Sequence, residues 1–284
     1  MKRFLSILLI AALGGIQSAF SKVDPLVRTE WSQTAPYNAF CPQGTLAGCV
    51  AIAMAQVMNY HRYPLHGKGK LSYLWNKQKL SADFSSTWYR WDDMEHLNPS
   101  AAQLIYQCGV SVFMDYSPSF SGSNEYYAKS ALVDNFGYSE DILLRARNLY
   151  EDSEWKKLLC EDLDKGWPII YSSGGHTFVV DGYDEKGNFH ANMGFGPSGG
   201  NRYYTIDELG KRSNSTALVH IHPADDGKEE PLLVIFLKDA TSVQIPCKVV
   251  KELNVIDDSS LRIVRTEDTP EVFPLSGISY LKVY

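Results

Sequence analysis

Residues 48–64, GCVAIAMAQVMNYHRYP, set a cysteine at the mouth of an apolar helix. From Cys49 to His61 the run holds strong helix formers and neither Gly nor Pro, and Pro64 with Gly67 stops it. Its composition suits a helix buried in a core. Cys49 then falls at the helix N-terminus, where the first-turn N–H groups lack partners and the macrodipole is positive, so a thiolate is stabilised. Gly48 gives a substrate carbonyl room to approach the backbone, and the Cys49 N–H can point at a developing oxyanion. Taken alone, the segment fits an inert buried cysteine equally well.

A cysteine nucleophile needs a base within hydrogen-bond reach, normally histidine. His61 lies on the same helix, roughly 18 Å from Cys49 at the standard rise, and cannot serve. His66 follows the helix end and is remote for the same reason. His96, His220 and His222 sit in polar or strand-end settings and read as surface residues. His176 has the fitting context: Gly174 and Gly175 before it leave room for substrate, and Thr177 to Val180 predict a buried strand that orients it. His190, in the next strand, stays open as a second choice. The base in turn needs an orienting group on its other ring nitrogen. Asn192 is the candidate, although a symmetric turn at 185–188 would set it opposite position 180, so a bulge or offset register is required. Asp181 is the weaker choice, since a regular strand points it to the face opposite His176.

Outward from these residues, the chain reads as helices first and antiparallel strands later. Residues 23–48 are rich in Pro, Asn, Gln, Thr and Gly and predict extended chain and loop. Residues 66–100 show no clear period. Residues 101–114 predict a helix passing into a strand-like run, and 126–136 and 153–165 predict two amphipathic helices. The period then changes to strands: PIIYSS, HTFVVDGYD, FHANMGF, RYYTI and STALVHI. This order predicts an α+β fold with two facing lobes over residues 22–223. Residues 224–231 form a charged, Pro-bounded linker. Short runs over 232–284 predict a small all-β module.

Composition narrows the function. Hydrophobic residues at 44% and charged residues at 21% describe an ordinary globular chain. With 27 basic against 33 acidic residues and no dense basic run, neither nucleic acid nor an anionic membrane surface is an expected partner. Lys2 and Arg3 precede an apolar stretch from Phe4 to Ile16, and Ala19-Phe20-Ser21 offers a cleavage site. Residues 1–21 therefore read as a secretory signal, too short to be a membrane span. Cys41, Cys49, Cys108, Cys160 and Cys247 show no close pairing, which argues against a zinc ribbon or redox motif. No HExxH-type spacing occurs, and neither metal nor organic cofactor is expected.

The motifs together resemble the streptopain family of papain-like cysteine peptidases. WSQTAPYN at 31–38 with Cys41-Pro42, the 48–64 run, MDYSPSFSGS at 114–123, and GGHTFVVDGYD at 174–184 followed by Asn192 appear in the family's order. The resemblance implies a two-lobed papain-like domain, Cys49 as nucleophile, His176 as base and Asn192 as its orienting residue. It also implies Gln33 as an oxyanion donor, and Ser121, Gly122 and Ser123, with Gly175, as a substrate-binding rim. It implies peptide or protein substrates and an exported bacterial enzyme, in the envelope or outside the cell. Two features depart from the family. Asn192 is followed by Met193-Gly194-Phe195 where relatives carry a tryptophan that shields the Asn–His contact, and Met193 should shield it less completely. Only about ten residues lie between Ser21 and Trp31, too few for a long inhibitory pro-segment, so a separate protein inhibitor is one expected means of control. A catalytically weakened peptide binder and an acyltransferase using the same triad are the alternatives. The C-terminal module resembles β modules of exported Bacteroidetes-type proteins and reads as a docking or sorting element.

Overall fold

The computed structural model describes residues 21–95, 99–224, 232–239, 241–266 and 270–283. The signal segment, His96 and almost all of the linker lie outside the described residues.

Helix α1, Cys49–His61, is buried continuously from Cys49 to Met58, as its uniformly apolar composition requires. It starts where Gly48 turns the chain with φ +93° and ends where Arg62 adopts a left-handed conformation, its N–H closing on the carbonyls of Asn59 and Met58. Around α1 pack α2, Pro99–Ser111, and α3, Glu125–Asp134, in one hydrophobic core. The helix-to-strand reading of 101–114 is corrected here. The helix begins at Pro99, and after Ser111 the chain turns through Phe113 at φ 53° into a loop. Residues 66–100 contain a hairpin absent from the sequence reading, β1 at Lys70–Trp75 and β2 at Gln78–Asp83. Its alternation is hidden in the sequence by Leu74, an apolar side chain that the strand leaves 75% exposed.

The second lobe is a six-stranded antiparallel sheet. Its strands are β3 (Leu143–Ala146), β4 (Ile169–Ser173), β5 (His176–Tyr183), β6 (Phe189–Asn192), β7 (Arg202–Tyr204) and β8 (Ser215–Val219), in the spatial order β3-β8-β4-β5-β6-β7. Helix α4, Asp152–Asp164, lays Trp155, Leu159 and Leu163 against one sheet face to build a separate core. Along the other face Ile170, Val179 and Leu218 join the core around α1, so β5 is gripped on both sides. Mixed helices and antiparallel strands in two facing lobes make this the α+β fold expected.

Beyond residue 232 two three-stranded sheets follow. They pair β9 (Leu232–Leu237) with β10 (Ser242–Pro246) and β14 (Ile278–Val283), and β12 (Ser260–Arg265) with β11 (Val250–Ile256) and β13 (Glu271–Pro274). They share a small core centred on Ile235, Ile245 and Ile263. Lys282 pairs with Asp92, and Tyr280 accepts from Arg90 at 3.1 Å, joining β14 to residues 90–92 of the N-terminal part.

Candidate active site

Two segments converge on the residues just before Cys49. The Ala47 N–H donates to the Gln33 carbonyl at 2.9 Å, the Leu46 N–H donates to the Ser117 carbonyl at 3.0 Å, and the Leu46 carbonyl accepts from the Ser121 hydroxyl at 2.7 Å. The start of α1 is thus suspended between the WSQ segment and the 117–121 loop. Gly48 is obligatory here for two reasons. Its φ is positive, and a Cβ would meet the Met114 thioether at 2.5 Å. On its Cβ side Gly48 therefore faces Met114. No side chain caps the helix at Gly48, so the first-turn N–H donors have no competitor of that kind.

Cys49 and His176 line one cleft of about 350 Å³ between the lobes. Gly122, Ser123 and Gly175 line it too, whereas Ser121 is buried behind it. Ser121 serves the loop, accepting from the Ser117 N–H as well as donating to Leu46. Both backbone groups of Gly122 are paired with Asp115, at 2.9 and 3.1 Å, which occupies its N–H and leaves its carbonyl one further lone pair. Ser123 directs its hydroxyl to the Val112 carbonyl.

His176 opens β5 and sits half-buried. Its Nε2 lies 2.8 Å from the carbonyl oxygen of Met193. A carbonyl only accepts, so Nε2 carries the proton and Nδ1 keeps its lone pair. Burial lowers the imidazole's affinity for a second proton below the ordinary histidine value, partly opposed by the Met193 bond. Phe195 stacks on the ring at 4.5 Å between centroids and 10° between planes. Phe195 thus covers one face of the ring, while Met193 contributes its backbone and a side chain packed into the sheet core.

Asn192 is close to this arrangement but bonded elsewhere. The expected direct bond to His176 is replaced by three others. Its amide Nδ2 donates to the Thr29 carbonyl at 2.6 Å, and its Oδ1 accepts from Gln56 Nε2 and from the Gly194 N–H, each at 3.2 Å. The register explains the placement. A bulge between Val180 and Gly182 sets Asn192 opposite Val179, so the offset that the hairpin demanded is present. Gly194, at φ +70°, lets the chain run against α1, where a Cβ would lie 2.9 Å from Ile52. Asp181, the bulge residue, and His190 bond to each other at 2.6 Å, and Asp181 also accepts from the Val27 N–H at 2.9 Å. This pair is buried away from the cleft.

Sequence reading passed over Gln56, Thr29 and Phe195. A signal for Gln56 existed: a lone amide in an otherwise apolar buried helix must find partners, and it does, accepting from the Thr29 hydroxyl at 3.1 Å and donating to Asn192. The other four cysteines are free thiols, as Cys49 is. Burial pushes Cys41 and Cys160 up to about 12 and raises Cys108 further, which keeps them protonated and inert.

Residues 31–204 match the model of the peptidase C10 family. The chain belongs to that family. This C10 chain is similar to streptopain of Streptococcus pyogenes, 30% identical over 180 residues that make up 56% of the chain and 45% of that protein. It is also similar to the thiol protease/hemagglutinin PrtT of Porphyromonas gingivalis, 29% identical over 205 residues, 64% of the chain and 23% of that protein. The C10 chain thus spans less than half the length of either curated relative. Among solved structures, active wild-type interpain A of Prevotella intermedia superposes with a TM-score of 0.63 at 31% identity, covering 69% of this chain and 94% of that one. A prointerpain A fragment gives a TM-score of 0.64, with 69% and 71% covered.

Proposed function

We propose that this C10 chain is a thiol endopeptidase that hydrolyses peptide bonds in protein substrates. One observation carries the reading: a cysteine at the uncapped N-terminus of a buried helix shares a cleft with a histidine whose Nε2 is fixed on a carbonyl, leaving Nδ1 as the base. His176 Nδ1 takes the Cys49 proton, and the thiolate attacks the substrate carbonyl carbon. The Cys49 N–H and the Gln33 side-chain amide hold the oxyanion that forms. The imidazolium then protonates the leaving amine as the C–N bond breaks, and water, deprotonated by His176, releases the acid and restores the thiol. Asn192 acts one step removed, bracing the Met193 carbonyl through Thr29, Gln56 and Gly194. A second cleft of about 730 Å³, lined by Trp31, Tyr37 and Phe195, lies on the far side of the stacked ring, so substrate can extend both ways from the scissile bond.

Residues 22–223 form the catalytic unit in this reading, and 232–284 a separate docking module. The basic and apolar start, together with bacterial relatives, supports export from a bacterial cell. Among the described residues no helix is long and apolar enough to cross a membrane.

An epoxide thiol probe on the wild type and on Cys49→Ala, with a denatured protein as substrate, tests the function. The wild type should be labelled once and should cleave, and the variant should do neither. A wild type that is neither labelled nor active refutes the enzyme reading. Aminolysis exceeding hydrolysis in the presence of an added amine would establish an acyltransferase instead.

A further inference from the structure

The cleft that holds Cys49 and His176 is polar. Apart from Phe120 and two glycines, the walls around Cys49 and His176 are hydroxyl groups, among them Ser123, Ser172 and Thr216, the Asn214 amide and one carboxylate, Glu125. No lysine or arginine lines it, and burial disfavours a positive charge on His176. Much of the hydroxyl wall is satisfied internally: Ser172 and Thr177 bond each other at 2.8 Å, and Ser215 donates to Ser173 at 3.0 Å. Glu125 differs. It is the first residue of α3, whose N-cap Asn124 accepts from the Tyr126 N–H at 2.8 Å. It is partly buried, where screening by salt is weaker than at the open surface. Among the described residues no lysine or arginine is ion-paired with it.

We propose that Glu125 makes this cleft selective for substrates carrying Lys or Arg within two residues of the scissile bond. The inference rests on the thiol peptidase reading above. A long basic side chain lays its methylenes along Phe120 and brings its cation to the carboxylate. A branched apolar side chain would strip water from the carboxylate and the hydroxyls and return nothing. The preference is therefore set by a single charge.

A positional peptide library, cleaved by the wild type, Glu125→Gln and Glu125→Lys, tests it. The wild type should prefer Arg or Lys over Leu at one position near the cut by about tenfold or more in kcat/KM. That ratio should fall by about tenfold in Glu125→Gln and should pass to Glu or Asp in Glu125→Lys. Added salt should weaken the wild-type preference. An apolar preference at every position, or a Glu125→Gln change that slows Arg and Leu peptides equally, overturns the inference alone. Failure to cleave any library member, in protein whose folding is verified by its thermal transition, removes both the peptidase reading and this one.

Discussion

The β5–β6 hairpin carries a histidine near each end, and the two ends are built differently. At one end His176 gives Nε2 to a backbone carbonyl, stacks on Phe195 and lines an open cleft. At the other, His190 bonds the buried carboxylate of Asp181, which also holds the Val27 N–H. Both are histidines on strands with a hydrogen-bonded partner. The carboxylate partner fastens the chain around Val27 to the sheet, whereas the partner of His176 is a neutral carbonyl. His220, bonded to the buried Asp162 at 2.7 Å, repeats the fastening pattern at the end of β8. His190 and His220 are thus each held by a buried acid, whereas His176 is held by a carbonyl and lines the cleft with Cys49.

The contrast can be tested, beginning with the largest effect. Cys49→Ala should lower kcat/KM by about 10⁴-fold or more, leaving the unfolding midpoint nearly unchanged. At the fastening end, Asp181→Ala should cost about 3 to 5 kcal/mol in denaturant unfolding, because it strands His190 and the Val27 N–H. Its activity under conditions where it remains folded should stay within about threefold of wild type. A large fall in kcat for folded Asp181→Ala would place that pair in the chemistry and dissolve the distinction.

A third test concerns pH. Burial lowers His61, at the far end of α1, to about 4 and also lowers His176. Each binds a proton less well folded than unfolded. The stability His61 lends is complete above about pH 6.5 and is lost as the pH falls toward 4, and His176 acts in the same direction. For His61 the loss should approach about 3 kcal/mol between those values and should shrink in His61→Asn, as read by unfolding at stepped pH.

Smaller effects belong to the bracing network. Gln56→Ala and Asn192→Ala should each reduce kcat by about 10- to 100-fold with KM little altered, since they loosen the Met193 carbonyl without touching substrate. Equal losses in the single and double variants would show that the two amides act as one unit. Phe195→Ala should change kcat only a few-fold. Its signature is the acid limb of the pH–rate profile, which should move up toward that of a free imidazole as water reaches the ring.

What the sequence made legible follows how local each feature is. The position of α1 and its cysteine could be read directly, because helix formers, breakers and the preceding glycine all lie within about twenty residues. His176 could be singled out by its glycines and buried strand, with His190 left as a second choice. The Asn192 contact could not, because a single bulge at Asp181 decides what faces what, and β patterns carry no mark for one extra residue. Gln56 and Thr29 are far apart in sequence from Asn192, and their bond is a product of lobe packing. The β1–β2 hairpin escaped because exposed Leu74 breaks the apparent period. Resemblance to a family supplied Gln33 and the 121–123 loop. Coordinates then divided that loop into a buried support, Ser121, and two residues at the cleft.

The group that orients His176 is a peptide carbonyl, and this bears on how the site tolerates change. Every amino acid brings the same oxygen to position 193, so substitution there alters packing while the acceptor persists. Sequence drift at that position is therefore chemically muted, and a mutational scan of side chains would register the orienting group only where the backbone itself is bent.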